Sequence, residues 1–136
     1  MKKILSGGLF ILITQCLAAQ FQRPELNLDS LMPKAEYENV SNQMIYSDSS
    51  VSTFIIWVKT SVPLHKHAWH TEQVTVLEGT ADMRVGEKLF SIKKGDIIFI
   101  PEDTPHNVMV TSDIPLKVLS IQAPEFKGDD RILLEK

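Results

Sequence analysis

The chain has 136 residues, of which 43% are hydrophobic and 23% charged, and a formal net charge of −3 at pH 7. This length and composition predict one globular domain with a real core, and they exclude a disordered chain or a coiled coil. Without Lys2 and Lys3, which lie in a segment expected to be removed, 12 basic residues stand against 17 acidic ones, a formal −5. We expect no nucleic-acid partner, because no basic stripe is present to neutralise phosphates.

Residues 1–19 have the pattern of an export signal. Two lysines form a charged start, Leu9–Ile13 is an apolar core, and a pair of alanines ending at Ala19 precedes the expected cut. The apolar run is too short for a permanent membrane span. We therefore expect no integral membrane span and a mature protein that begins at Gln20 and is periplasmic or secreted. The alternative is an uncleaved hydrophobic N-terminus.

Cys16 is the only cysteine. Gln15 stands directly before it, where a lipoprotein signal usually has a small residue, so anchoring by a lipid on Cys16 is the less favoured alternative. Cleavage after Ala19 leaves a mature chain with no disulfide and no thiol ligand.

Residues 20–40 predict an N-terminal arm. They are polar, are interrupted by Pro24 and Pro33, and keep no steady apolar period. At most a short helical turn is expected, near Ala35–Glu38.

The chain from residue 41 to residue 123 predicts a series of short strands. Val51–Lys59 is rich in β-branched and aromatic residues, and Gly86 marks a hairpin. Further strands are expected at residues 42–46, 72–77, 81–85, 89–92, 97–100, 107–111 and 116–121. Regularly spaced short strands without a convincing helix indicate an all-β fold, a closed or sandwich-like antiparallel barrel. In the charged tail, residues 124–136, Ile132–Leu134 are expected to form a last strand or to anchor a dimer.

The stretch His65–Gly79, HKHAWHTEQVTVLEG, carries the first chemical motif. Residues i and i+2 of a strand project from the same face, so His65 and His67 can direct two imidazoles at one point. Glu72 has odd spacing from His67, so a turn, for which a hairpin would serve, must intervene if its carboxylate is to rejoin them. Two neutral imidazoles and a carboxylate are a common ligand set for Zn, Fe, Mn or Ni.

A second stretch, Gly95–His106, has a turn glycine, an apolar strand, a proline-punctuated turn and one more histidine. Together the two stretches resemble the paired motifs of the cupin superfamily, in the single-domain, quercetin dioxygenase-like (cupin type 2) group. The matching positions are His65, His67, Glu72, Gly79, Gly95, Pro101 and His106. Lys59 and Asp103 replace two family glycines and Val110 replaces an asparagine, none of which is a family metal ligand.

The resemblance implies a single-domain cupin β-barrel of the double-stranded β-helix, jelly-roll type. It implies a divalent metal ion, Fe, Mn, Ni or Zn, held by His65, His67, Glu72 and His106, with His106 added to the set by the resemblance. It further implies a metal-dependent, dioxygenase-like oxidoreductase acting on a small organic substrate, in which Glu72 also takes a proton. A homodimer is expected as well.

Other functions stay open. The barrel could be a non-catalytic module that binds a small ligand or a metal, or it could have kept its ligands by descent alone. A sugar isomerase or epimerase is a further alternative, less favoured because few Lys and Arg residues lie near the motifs.

Two residues beside the motif are ambiguous. His70 can be a ligand or a general base, but a solvated loop histidine beside Trp69 is favoured. A one-residue change of register would direct Gln73 instead of Glu72 at the metal, although the spacing to Gly79 supports Glu72.

Several further side chains have both a functional and a plain interpretation. Four apolar residues could line a pocket above the metal or simply form core: Phe54, Trp57, Met83 and Met109. Asp103 could orient a ligand imidazole or merely form a turn, and Arg84 could bind an anionic substrate or lie exposed on a strand.

Overall fold

The structure is a computed structural model that describes residues 25–134. The predicted export signal and Cys16 lie outside the described residues, as do the last two residues of the tail. The described residues fall into two units, residues 25–30 and residues 31–134. The described part of the first unit contains a short 3-10 turn, Leu28–Ser30. No helix among residues 25–134 is long and apolar enough to cross a membrane.

The second unit consists of short antiparallel strands arranged in two five-stranded sheets. The strands are β1 Val40–Ser47, β2 Ser52–Val58, β3 Ser61–His67, β4 Thr71–Glu78, β5 Thr80–Val85, β6 Lys88–Lys93, β7 Ile97–Ile100, β8 His106–Val110, β9 Leu116–Ala123 and β10 Arg131–Leu133. The first sheet has the order β1-β2-β9-β4-β7 and the second the order β10-β3-β8-β5-β6. The predicted all-β, jelly-roll architecture is confirmed.

The inward side chains of the first sheet change from polar to aliphatic along its strands. On β4 the buried positions are Glu72, Val74 and Val76, and the residues between them are more exposed. Their neighbours on β9 follow the same order, since Glu72 lies opposite Gln122 and Val76 lies opposite Val118. Alternation with a period of two directs this whole set to one face of the sheet.

The second sheet shows the same change. His65 on β3 lies opposite His106 on β8, and Val62 lies opposite Val108. Because Glu72 Oε2 is 3.3 Å from His106 Nε2, the polar ends of the two sheets meet. The barrel interior therefore has a polar end and an aliphatic end.

The connection between β3 and β4 is not the hairpin that the spacing suggested. β3 pairs with β8 and β10, whereas β4 pairs with β7 and β9, so the chain crosses from one sheet to the other. Both strands bury their inward faces in this way, against each other across the interior. The crossing is what places Glu72 opposite His65 and His67 instead of beside them.

Two departures from the family motif are accommodated locally. Asp103 has a φ of 56°, a left-handed conformation that glycine adopts freely and aspartate tolerates. Its N–H donates to the His67 carbonyl at 2.7 Å, and its carboxylate pairs with Lys66 at 2.5 Å. Asp103 is thus a turn residue and contacts no ligand imidazole ring. Lys59 donates through Nζ to the Tyr37 carbonyl at 2.6 Å and lies over the Tyr37 ring.

The ends of the barrel extend beyond the predicted range of residues 41–123. β1 begins at Val40, and β10 pairs with β3, so part of the expected tail belongs to the second sheet. The expected helical turn at Ala35–Glu38 is absent, and the only helical turn in residues 25–134 is the one described above. Asn39 instead joins the arm to the barrel, because its amide oxygen accepts from the Thr60 N–H and its amide nitrogen donates to the Ser61 carbonyl.

We expect Gly79→Ala to destabilise the barrel. Gly79 has a φ of 79°, and a Cβ there would lie 2.9 Å from the Pro115 carbonyl oxygen. Backbone strain of this kind costs about 1–3 kcal/mol, and the clash with backbone atoms adds to it. Gly95→Ala is the matched control, because Gly95 has a φ of 94° but no atom within 4 Å of its added Cβ. Urea unfolding that shows equal losses for the two variants would contradict a role for the clash.

Candidate metal centre

Three histidines meet at the polar end of the barrel. His65 and His67 are two residues apart on β3, and His106 begins β8 opposite His65. All three are buried, and one ring nitrogen of each lies within 4.8 Å of the others. The ring centroids of His65 and His106 are 4.2 Å apart. The structure thus brings together His65 and His67, which the spacing nominated as ligands, and His106, which the family resemblance added.

Hydrogen bonds determine which nitrogen each ring presents. Nδ1 of His65 and Nδ1 of His106 lie 2.8 and 2.9 Å from the carbonyl oxygen two residues earlier in the chain. Nδ1 of His67 lies 3.1 Å from Asp130 Oδ1. Carbonyl and carboxylate oxygens only accept, so Nδ1 of each neutral ring carries the hydrogen and Nε2 keeps its lone pair. His106 Nε2 is buried and has no hydrogen-bond partner among the described residues.

Glu72 completes the set from the facing sheet. Its Oε1 accepts from the Ser120 hydroxyl at 2.5 Å and lies 3.5 Å from the Gln122 amide nitrogen. Its Oε2 lies 3.3 Å from His106 Nε2 and 3.7 Å from His67 Nε2. Glu72 Oε2 and the Nε2 lone pairs that it faces are all hydrogen-bond acceptors. Acceptors at these distances repel each other unless a cation or a proton lies between them. Three imidazoles and one carboxylate therefore fit a divalent transition metal.

The protonation states suit metal binding. Burial lowers the pKa of His65 to about 4, and the neighbouring His106 contributes to the shift. The ring is therefore neutral near pH 7. Burial raises the pKa of the Glu72 carboxyl, but the adjacent His106 imidazole and the Ser120 hydroxyl outweigh it, so the pKa is lowered overall. The site therefore offers a neutral imidazole at His65 and an ionised carboxylate at Glu72.

His70 is not the solvated loop histidine that was favoured from the sequence. It is 1% exposed, its Nδ1 is hydrogen-bonded to Asp130 Oδ2, and its Nε2 lies 2.9 Å from the Glu125 carbonyl oxygen. Burial lowers the pKa of His70, but these hydrogen bonds outweigh burial and raise the pKa. Both ring nitrogens face acceptors, which fits a charged imidazolium paired with a carboxylate.

Asp130 is a functional candidate that the sequence did not reveal. Its buried carboxylate lies between the rings of His67 and His70 and accepts from the Trp69 N–H at 3.4 Å. It reaches this place because β10 pairs with β3 and the Asp130 carbonyl accepts from the Ala68 N–H. His67, His70 and Asp130 form a second group with metal-ligand spacing. However, Nδ1 of His67 and Nδ1 of His70 are both hydrogen-bonded to the Asp130 carboxylate. This arrangement indicates that Asp130 orients the His67 ring and is not itself a ligand.

Apart from Met83, the remaining candidates do not line the cavity that contains the candidate ligands. Gln73 falls on the opposite face of β4 from the buried Glu72. Met83 lines the central cavity, whereas Met109 is 60% exposed. Arg84 is exposed and donates through Nε to the carbonyl of Gly86, two residues later in the chain. Phe54 and Trp57 are buried as core.

A cavity of about 240 Å³ begins at the candidate ligands and continues into the aliphatic interior. At the polar end it is lined by the three histidines, Glu72 and Gln122, together with Arg131 and Phe126. Its deeper walls are aliphatic and include Ile56, Val58, Met83, Ile92, Leu116 and Val118. A ligand in this cavity would meet both the metal centre and an apolar wall.

The fold and the site define a class of protein, and comparison with known proteins agrees. The family model described as the cupin domain matches residues 52–122, so this chain belongs to the cupin family. The uncharacterized protein MJ1618 of Methanocaldococcus jannaschii is 36% identical over 86 residues, which are 63% of this chain and 69% of the relative.

Solved structures show the same fold. A Klebsiella pneumoniae protein with a double-stranded β-helix domain superposes with a TM-score of 0.71 at 18% identity, over 85% of this chain and all of that one. Oxalate decarboxylase of Bacillus subtilis, which has Mn(II) centres, superposes with a TM-score of 0.64 at 21% identity, over 76% of this chain and 30% of that one. At these identities the likeness establishes the fold alone.

We expect the metal-free protein to lose stability as the pH falls from about 6.5 to about 4. The pKa of His65 is near 6.5 when the chain is unfolded and about 4 when it is folded. Between these values the unfolded chain binds more protons, so the free energy of unfolding falls as the pH falls. Urea unfolding at a series of pH values measures the slope. His65→Gln should remove part of it, and an unchanged slope in that variant would contradict the assignment.

We expect Asp130→Asn to weaken metal binding. Loss of the carboxylate that orients a ligand histidine lowers metal affinity by roughly 10- to 100-fold. The affinity for Zn²⁺ can be measured by competition with a chromophoric chelator. Asp129→Asn is the matched control, because it removes the same charge from the exposed neighbouring residue.

A second measurement separates orientation from general damage. Long-range proton–nitrogen NMR correlations of the metal-free protein report which nitrogen of each ring carries the hydrogen. In Asp130→Asn the preference of His67 should weaken, while His65 and His106 keep theirs because backbone carbonyls hold them. Equal changes at all three rings would indicate loss of structure instead.

Proposed function

We propose that this protein is an exported, metal-dependent cupin of the oxidoreductase type, with dioxygenase-like action on a small organic substrate. The observation that carries the proposal is that three histidine ring nitrogens lie within 4.8 Å of one another in the lining of one cavity. Glu72 Oε2 lies 3.3 Å from His106 Nε2 and 3.7 Å from His67 Nε2 in the same lining. Export and a homodimer belong to the same proposal, supported by the N-terminal pattern and by the family resemblance.

The roles of the residues follow from the geometry. His65, His67 and His106 would hold the metal ion through Nε2, and Glu72 through Oε2. A bound Fe, Mn, Ni or Zn ion would polarise oxygen atoms of the substrate, and the redox-active ions among these could also exchange electrons with it.

Glu72 is suited to take a proton from the substrate. Ser120 holds Oε1 by a hydrogen bond, so Oε2 keeps a fixed direction towards the cavity. The carboxylate is buried and ionised, and a positioned base of this kind contributes roughly 10²- to 10⁴-fold to a rate. The aliphatic walls beyond it exclude water from the reacting group.

A non-catalytic binding module is the second candidate. The depth of the cavity and its aliphatic walls would retain a small ligand without any turnover. A sugar-phosphate isomerase has less support, because Arg131 is the only Lys or Arg among the described residues that line the cavity.

The first experiment measures metal by mass spectrometry in the mature chain, residues 20–136, purified without chelators or a histidine tag. We expect close to one metal ion per chain, and a sharp fall in His106→Ala, because that substitution removes a converging lone pair. A wild-type protein that is empty and also refuses Fe, Mn, Ni and Zn would contradict the metal centre.

Oxygen uptake distinguishes the two candidates. The iron-loaded protein is supplied with flavonoids, catechols and diketones, and Glu72→Gln is compared with wild type. We expect uptake with at least one class and a loss of about 100-fold or more in the variant. Tight retention of a ligand without uptake, unaffected by Glu72→Gln, would favour the binding module.

A further inference from the structure

One cationic side chain lies at the mouth of the cavity. Arg131 is the first residue of β10 and lines the cavity beside the candidate ligands. Its Cα partner across the β10–β3 ladder is His67. Residues directly opposite each other in an antiparallel ladder project from the same face, so the exposed Arg131 side chain leaves the sheet on the face that carries the His67 ring and lines the cavity there.

The charge of Arg131 lies in the lining of the cavity together with the candidate ligands. No hydrogen bond or ion pair within residues 25–134 occupies its guanidinium group. Both arginines of the described barrel are exposed, but Arg84 is already bonded to a backbone carbonyl and does not line the cavity. Arg131 is therefore placed to receive an anion from the cavity.

The rest of the cavity restricts that anion. The walls beyond the metal centre are aliphatic, so burial of an apolar group there would be favourable by roughly 25 cal/mol for each Å². A single guanidinium matches the two oxygens of a carboxylate, whereas phosphate groups are usually held by several donors or cations. The metal centre beside Arg131 would take a second oxygen of the same molecule.

We propose that Arg131 anchors a substrate carboxylate, and that the substrate is a small amphipathic acid with a second oxygen function next to the carboxylate and an apolar body. The carboxylate binds the guanidinium, the neighbouring carbonyl or hydroxyl oxygen faces the metal centre, and the body lies against the aliphatic walls. This inference rests on the proposed metal site and specifies what that site binds.

The test is a binding measurement that does not depend on turnover. Titration calorimetry with the Zn²⁺-loaded protein compares α-ketoisocaproate, which has a carboxylate, a ketone and a branched apolar body, with its uncharged primary amide. We expect the acid to bind roughly ten- to hundredfold more tightly than the amide. Arg131→Gln should remove this preference, and Arg131→Lys should restore part of it because it keeps the charge and loses the fork geometry.

Arg84→Gln is the matched control, because it removes the same charge from an exposed strand position. It should leave the preference for the acid unchanged. Metal content is measured in every variant, so an empty protein shows failure of the proposed metal function, and a loaded protein without the preference shows failure of this inference alone.

Four results would overturn the proposal. Equal affinity of the Zn²⁺-loaded wild-type protein for the acid and the amide would show that no group of the site anchors the carboxylate. An equal fall for both ligands in Arg131→Gln would assign Arg131 a structural role. If oxalate binds as tightly as α-ketoisocaproate, an apolar body of the ligand does not contribute to binding. If inorganic phosphate binds more tightly than either acid, the site does not select a carboxylate.

Discussion

The burial of three imidazoles and one carboxylate together at one end of a β-barrel is the constraint on which the rest of this structure depends. Polar groups taken out of water are costly unless each finds a partner. The Nδ1 atoms and Glu72 Oε1 have hydrogen-bond partners from the chain itself. The Nε2 atoms of the three rings and Glu72 Oε2 instead face a common space, and no donor from the described chain satisfies them together. A divalent cation resolves this arrangement, which is why a metal centre is the simplest account of it.

The segment around the start of β10 contributes to both this centre and the cavity. Asp130 and Arg131 are consecutive, yet they face different partners. Asp130 lies buried between His67 and His70, and Arg131 lines the cavity opposite His67 on the neighbouring strand. Asp130, which directly precedes β10, thus supports a candidate ligand, and Arg131, the first residue of β10, selects the substrate in our proposal. The tail in which the sequence predicted a last strand or a dimer anchor therefore does form a strand, and it contributes to the candidate site.

The candidate site and the aliphatic core lie at different ends of the barrel. Inward positions are polar where the sheets carry Glu72 and His106, and aliphatic where they carry Val76 and Val118. The aliphatic end supplies the hydrophobic core and the cavity walls, and the polar end receives the groups that need partners. Membership of the cupin family accounts for this plan but not for the substrate, because one fold supports many reactions.

Local sequence alone determined the strands, the all-β class and the pairing of His65 with His67, because β-branched composition and alternation with a period of two are local properties. His106 joined the set only through the resemblance to the cupin family. The tertiary structure alone decided that β3 and β4 lie in opposite sheets, that His70 is buried, and that Asp130 supports His67. Contacts between residues about 60 positions apart produce these features, and no local pattern specifies which distant segments will pack together.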